Sequence, residues 1–210
     1  MKKDPAILVF ALLISHYSSA AESLDLRMSG SVKPGACTLT MTSDGVFDFG
    51  SISADELRKS NYRNLQSMRN TLSVTCSSST LVAITALDNR SGTASSNIVG
   101  DEYLFGLGRD ASGNAIGGYY IAASNHLING QKGFPTSSPD GGDNWTSDSF
   151  LRPAPNVLHS WTTVPGSSPE ATSAVMIELI AAPIIAPSDS LDTSQEITLD
   201  GSATIELVYL

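Results

Sequence analysis

Apolar and polar residues change places at every step in Cys37-Thr38-Leu39-Thr40-Met41, in Leu72 to Cys76 and in Ala203-Thr204-Ile205-Glu206-Leu207. A period of two puts alternate side chains on one face of a strand, whereas a helix needs a period near 3.6. Val46-Phe47-Asp48-Phe49-Gly50, Glu196-Ile197-Thr198-Leu199-Asp200 and Leu24 to Met28 alternate in the same way and read as further short strands. Leu81 to Leu87 is a β-branched run that stops at Asp88-Asn89, a turn signal, and Lys33-Pro34-Gly35 is another break. Ser53 to Leu57 is a candidate helical turn, with Ser53 placed to cap and Glu56 three residues later. Ala174 to Ile185 is the most apolar stretch after the first twenty residues. Its β-branched content predicts a central strand that bends or ends near Pro183. About seven to nine short strands with turn-rich joins predict an all-β fold, an antiparallel β-sandwich.

Residues 91–169 change character. Gly, Ser, Asn, Asp and Pro dominate, broken by apolar islands at Tyr103–Gly108, Ile116–Ala123 and Val157–Val164. The expectation is a loop-rich insertion carrying two or three strands within one domain spanning 21–210.

The N-terminus has its own logic. Met1-Lys2-Lys3 is basic, Ala6 to Ile14 is wholly apolar, and Ser18 and Ala20 occupy the small-residue positions of a cleavage site before Ala21. Residues 1–20 therefore read as a signal peptide. A helix of that apolar length rises only about 14 Å, roughly half a bilayer core, so it does not read as an anchor. Nowhere else does the chain offer a candidate membrane span, so none is expected after cleavage. Export to an oxidising compartment favours pairing of Cys37 with Cys76 over two buried free thiols. A disulfide closing a loop of that length contributes roughly 4 kcal/mol by chain entropy.

Charge narrows the partners. The net charge is −9, and cleavage, which removes Lys2, Lys3 and Asp4, carries it to about −10. Such a surface repels phosphate backbones and anionic lipid, so no nucleic-acid partner is expected. Only His126 and His159 remain after cleavage, and none of the common nucleophile, zinc or phosphate-loop motifs is present. The chain reads as non-enzymatic, without catalytic residues and without a cofactor. Asp140, Asp143, Asp148 and Asn144 share one loop region, where carboxylates and glycine can hold calcium. Their spacing is not that of an EF-hand, and the expectation is a solvated loop with no metal. Trp145 and Trp161 lie in or beside the long loops. They are candidates to stack on a glycan or small ligand, or else pack beneath those loops.

Three features together resemble the chaperone–usher pilins: Gly30-x-Val32-x-Pro34-Gly35-Ala36-Cys37, Leu72-x-Val74-x-Cys76, and a C-terminal strand whose penultimate residue is Tyr209. The resemblance implies an immunoglobulin-like, pilin-like sandwich in which the disulfide ties the first strand to the second. It also implies a partner, a periplasmic fimbrial chaperone, docked on the last strand. Ile205, Leu207 and Tyr209 would then face the chaperone groove, and the carboxylate of Leu210 its basic cleft. Four blocks, GACTLTM, LSVTCSSSTLVAITALDNRSGT, FGLGRDASGNAIGG and ITLDGSATIELVYL, more closely resemble the GltF-like periplasmic family, whose members are often encoded beside fimbrial genes. That implies a periplasmic or cell-surface protein of a Gram-negative bacterium, working with other fimbrial subunits in adhesion. Only Ala21-Glu22-Ser23 separate the cleavage site from the alternating run at Leu24. This leaves little room for a separate donor strand, so a tip or accessory subunit is expected rather than a shaft subunit. The alternative expectation is a periplasmic or surface binding module for a glycan or small ligand.

Overall fold

The computed structural model describes residues 27–29 and 36–210. Residues 1–20, read as a signal peptide, and most of the run from Leu24 to Val32 lie outside the described residues; residues 27–29 carry no regular structure. The chain divides between Lys33 and Pro34 into two units, and the described strands all belong to the second.

Alternation becomes strand where it was expected at both ends of that unit. β1 is Cys37–Met41, β2 Arg63–Asn64, β3 Met68–Thr80 and β4 Val82–Asp88. The middle supplies β5 (Phe105–Gly106), β6 (Gly117–Ile128), β7 (Gln131–Lys132), β8 (Phe134–Ser138), β9 (Phe150–Leu151) and β10 (Leu158–Thr162). β11 is Thr172–Ile185 and β12 is Ala203–Tyr209. The ordered strands form two sheets, and all strand pairings are antiparallel. One runs β1-β3-β11-β6-β5, with β2 on β11 and β7 and β9 on β6; the other runs β12-β4-β10-β8.

The inner faces meet in one apolar core. In β3, Leu72, Val74 and Cys76 are buried at every second position, facing Ile84 and Ala86 of β4 and Trp161 of β10. Val175, Ile177 and Leu179 of β11 continue that layer. The fold is therefore the all-β antiparallel sandwich read from the sequence, and its strand order is immunoglobulin-like. In the seven-strand immunoglobulin arrangement one sheet runs A-B-E-D and the other C-F-G. Here β1, β3, β11 and β6 stand in the places of A, B, E and D, and β4 and β12 in those of C and F.

Three local expectations change and one is met. Residues 91–169 hold six strands, β5 to β10, where two or three were expected, and β6 pairs along most of β11, so this segment contributes to both sheets. β11 includes Pro183 and ends at Ile185, two residues past it, as expected of a strand that ends near this proline. It tolerates the proline because the Pro183 carbonyl accepts from Leu65 N–H at 2.9 Å on the side where β3 has given way to β2. The missing N–H therefore faces the break between those two strands. Ser53 contributes no side-chain cap; Ala54–Glu56 is a single 3₁₀ turn closed by backbone bonds, and Glu56 pairs with Arg63 at 2.8 Å. Val46–Gly50 and residues 196–200 carry no regular structure and join no described sheet.

Candidate functional site

The disulfide is where the two sheets begin to define a site. Cys37 and Cys76 are bonded and stand directly opposite each other on β1 and β3. The neighbouring bond from Ser77 N–H to the Ala36 carbonyl makes Ala36–Ser77 a hydrogen-bonded pair. Cys37–Cys76 is then the closer, non-hydrogen-bonded pair, which suits a cross-strand bridge. The Cys37 N–H points away from β3 and donates to Tyr209 Oη at 2.9 Å. One hydrogen bond thus joins the first strand of one sheet to the last strand of the other.

β12 is an edge. It pairs with β4 from Ala203↔Asp88 to Tyr209↔Val82, and no described strand pairs with its other side. Asn89 N–H bonds to the Ser202 carbonyl and Leu210 N–H to the Leu81 carbonyl. Antiparallel pairs alternate, so the backbone groups of Ala203, Ile205, Leu207 and Tyr209 turn toward the open edge. The side chains of Ala203, Ile205 and Leu207 pack on the core. In the immunoglobulin arrangement a G strand would lie beside this edge.

Below the Tyr209–Cys37 bond the sandwich gapes. A cavity of 970 Å³ lies between its lips, at the upper end of the usual range for ligand pockets. Its floor is Tyr119, Ile121, Leu179, Ala181 and Ile185 from β6 and β11. One lip is residues 44–52; the other is residues 195–203, running into β12. Phe47, Ile197 and Leu199 lean on the core from these lips. These are the two alternating segments that read as strands and found no sheet partner.

The second lip is pinned by charge. Arg90 forms a two-pronged pair with Asp200, Nε to Oδ2 and Nη2 to Oδ1, both 2.8 Å. Asp110 accepts from the backbone N–H of Asp192 at 2.7 Å, from the Asn114 side chain, and from the N–H groups of Ser112 and Asn114. That donor set, led by Asp192, holds its carboxyl below the usual range.

The remaining sequence candidates fall elsewhere. Ile205 lines the cavity, Leu207 packs above it, Tyr209 is half exposed, and Leu210 ends the chain beside Leu81. Trp161 is 0% exposed, so neither ring face is open to a ligand. Trp145 is partly buried and its indole N–H donates to the Gly142 carbonyl at 3.0 Å, a loop-packing role. Neither tryptophan lines the cavity. Asp140 accepts from Ser138 Oγ and from the backbone and side chain of Asn144, and Asp148 pairs with Arg152 at 3.1 Å. The chain's own donors use these oxygens, and no metal-binding cluster occurs among the described residues. Gly106 in the Phe105–Gly108 motif is pressed against Arg90 and Thr93, where a side chain would collide. Its glycine serves packing, as a tight strand end does. No helix among the described residues is long and apolar enough to cross a membrane.

The class these features define is a disulfide-stapled, immunoglobulin-like β-sandwich in which the β12 edge lies over a cavity with an apolar floor. The chain is similar in sequence to a family described as "Protein of unknown function (DUF1120)", matched over residues 26–120. It is 28% identical to the uncharacterized protein YhcF of Escherichia coli K12 over 92% of this chain and 93% of that one. It is 26% identical to protein GltF of the same strain over 98% of this chain and 96% of that one.

Proposed function

We propose that the mature chain is an exported, fimbria-associated subunit that accepts a β-strand from a partner beside β12, in the periplasm and then in the assembled fibre. The single observation that carries this reading is the open edge of β12 directly above a 970 Å³ apolar cavity. Strand addition to such an edge draws affinity from backbone hydrogen bonds and specificity from alternate side chains. The unpaired lips fit the same reading, since an exposed apolar edge is otherwise an aggregation liability. The resemblance of residues 30–37 and 203–210 to pilins supplies the class of partner, a periplasmic fimbrial chaperone first and a neighbouring subunit later.

Co-expression of the full precursor with a fimbrial chaperone, followed by affinity capture of the chaperone, tests it. The expected result is a one-to-one complex that Ile205→Glu abolishes. A mature chain that accumulates as a stable monomer and is captured by no fimbrial chaperone would overturn the reading. The volume of the cavity favours a second reading, a small apolar ligand. That reading predicts binding that survives blockage of the β12 edge.

A further inference from the structure

We infer that the strand accepted in this groove is cationic: apolar at every second residue, with lysine or arginine at the positions between. The inference rests on the strand-acceptor reading and adds the chemistry of the partner. Among the described residues that line the cavity, the charged ones are Asp44 and Asp48 on one lip and Glu196 on the other, and no lysine or arginine is present. All three are exposed and none is ion-paired with a described residue. Arg63 and Arg90 are committed elsewhere, to Glu56 and to Asp200, and Arg58 and Lys59, the cations nearest in sequence to the first lip, are exposed but do not line the cavity.

The geometry sorts the strand's two faces. A strand bonded to the outward backbone groups of Ala203 and Ile205 turns alternate side chains onto Tyr119, Ile121 and Leu179. The intervening side chains then emerge at the mouth, between carboxylates on both lips. Opposite charges placed across neighbouring strands attract, and like charges repel by similar amounts. An acidic strand is disfavoured there and a basic one favoured, on a chain whose net charge of −9 already draws cations.

The test uses two labelled peptides with the same alternating valines, one carrying lysine and the other glutamate at three outward positions. Each is added while the mature, oxidised chain refolds from urea, and binding is read by fluorescence anisotropy. The lysine peptide is expected to bind about tenfold tighter, the scale of a few exposed cross-strand pairs. That preference should vanish in about 1 M salt, where the Debye length is about 3 Å. It should also vanish in the triple variant Asp44→Asn, Asp48→Asn, Glu196→Gln. If that variant fails to fold, carbodiimide coupling of the bound lysines in the wild-type chain replaces it, with Asp44, Asp48 or Glu196 expected as the attachment sites. Equal binding of the two peptides, a glutamate preference, or coupling only to other carboxylates would overturn the cationic strand and leave strand acceptance standing. Binding of neither peptide would overturn both.

Discussion

Tyr209 carries more than its place near the end of the chain suggests. Its ring is half exposed, yet its hydroxyl accepts the one N–H of Cys37 that β3 leaves unused. Tyr209→Phe keeps the ring and removes the acceptor. The expected loss is about 1 kcal/mol in urea unfolding, with faster hydrogen exchange at the Cys37 amide. Unchanged exchange there would show that the bond does not hold the edges together. His126 and His159 make a second prediction at this scale. Burial pushes both down to about 4. His159 also uses Nε2 to accept the Arg152 N–H at 3.1 Å, which requires a neutral ring. Both groups bind protons more readily when unfolded, so stability is full above about pH 6.5 and falls as the pH drops toward 4. The effect is on the order of 3 kcal/mol per histidine over that range. The urea midpoint should decline between pH 6.5 and 5, before most carboxylates titrate, and the decline should shrink in His126→Gln and His159→Gln variants. A flat midpoint across that window would contradict the assignment.

At the scale of elements, the disulfide and β8 teach opposite lessons. Cys37 and Cys76 were legible because each ends or begins an alternating run, and the paired register then brings them together. Replacing both by alanine should lower stability by roughly 4 kcal/mol in urea unfolding of the mature chain. A loss under 1 kcal/mol would mean that the reduced, unfolded chain retains structure about this loop. β8, in contrast, was illegible. Phe134-Pro135-Thr136-Ser137-Ser138 shows no alternation, yet Thr136, Ser137 and Ser138 are all buried. Their hydroxyls are tolerated because partners exist: Thr136 Oγ1 donates to the Ser167 carbonyl at 2.9 Å and Ser138 Oγ to Asp140 at 2.6 Å. A polar strand of this kind is visible only once those distant acceptors are in place. The two lips fail in the other direction. Val46–Gly50 and residues 196–200 carry the alternating pattern but lack a neighbour, because pattern specifies a face and not a partner.

For the whole molecule, the consequence is a sandwich with an open seam that has an apolar floor. An apolar fluorescent dye should bind the mature chain near the cavity and be displaced when a strand occupies the edge of β12. Ala181→Phe, which projects a ring into the cavity floor, should reduce dye binding while leaving far-ultraviolet circular dichroism unchanged. Dye binding that persists undiminished in this variant would place the apolar site elsewhere. The same seam separates the two candidate uses of the aromatics. Tyr119 belongs to the floor, whereas Trp161 is sealed in the core between the sheets. Trp161 packs in the core, the second of the two uses open to an aromatic in or beside the long loops.

Sequence alone determined the β class, the two cysteine-bearing strands, the alternating final strand and the net negative charge. Each is a local property, set by side-chain period, composition or charge along a few consecutive residues. Tertiary structure decided which strands found partners. β12 reaches back to β4, and β1 is tied to β12 through Tyr209, across sequence separations that no local pattern encodes. The cavity exists because two segments fit to be strands lie either side of a place where no described strand runs, and only the closed geometry of the sheets reveals that place.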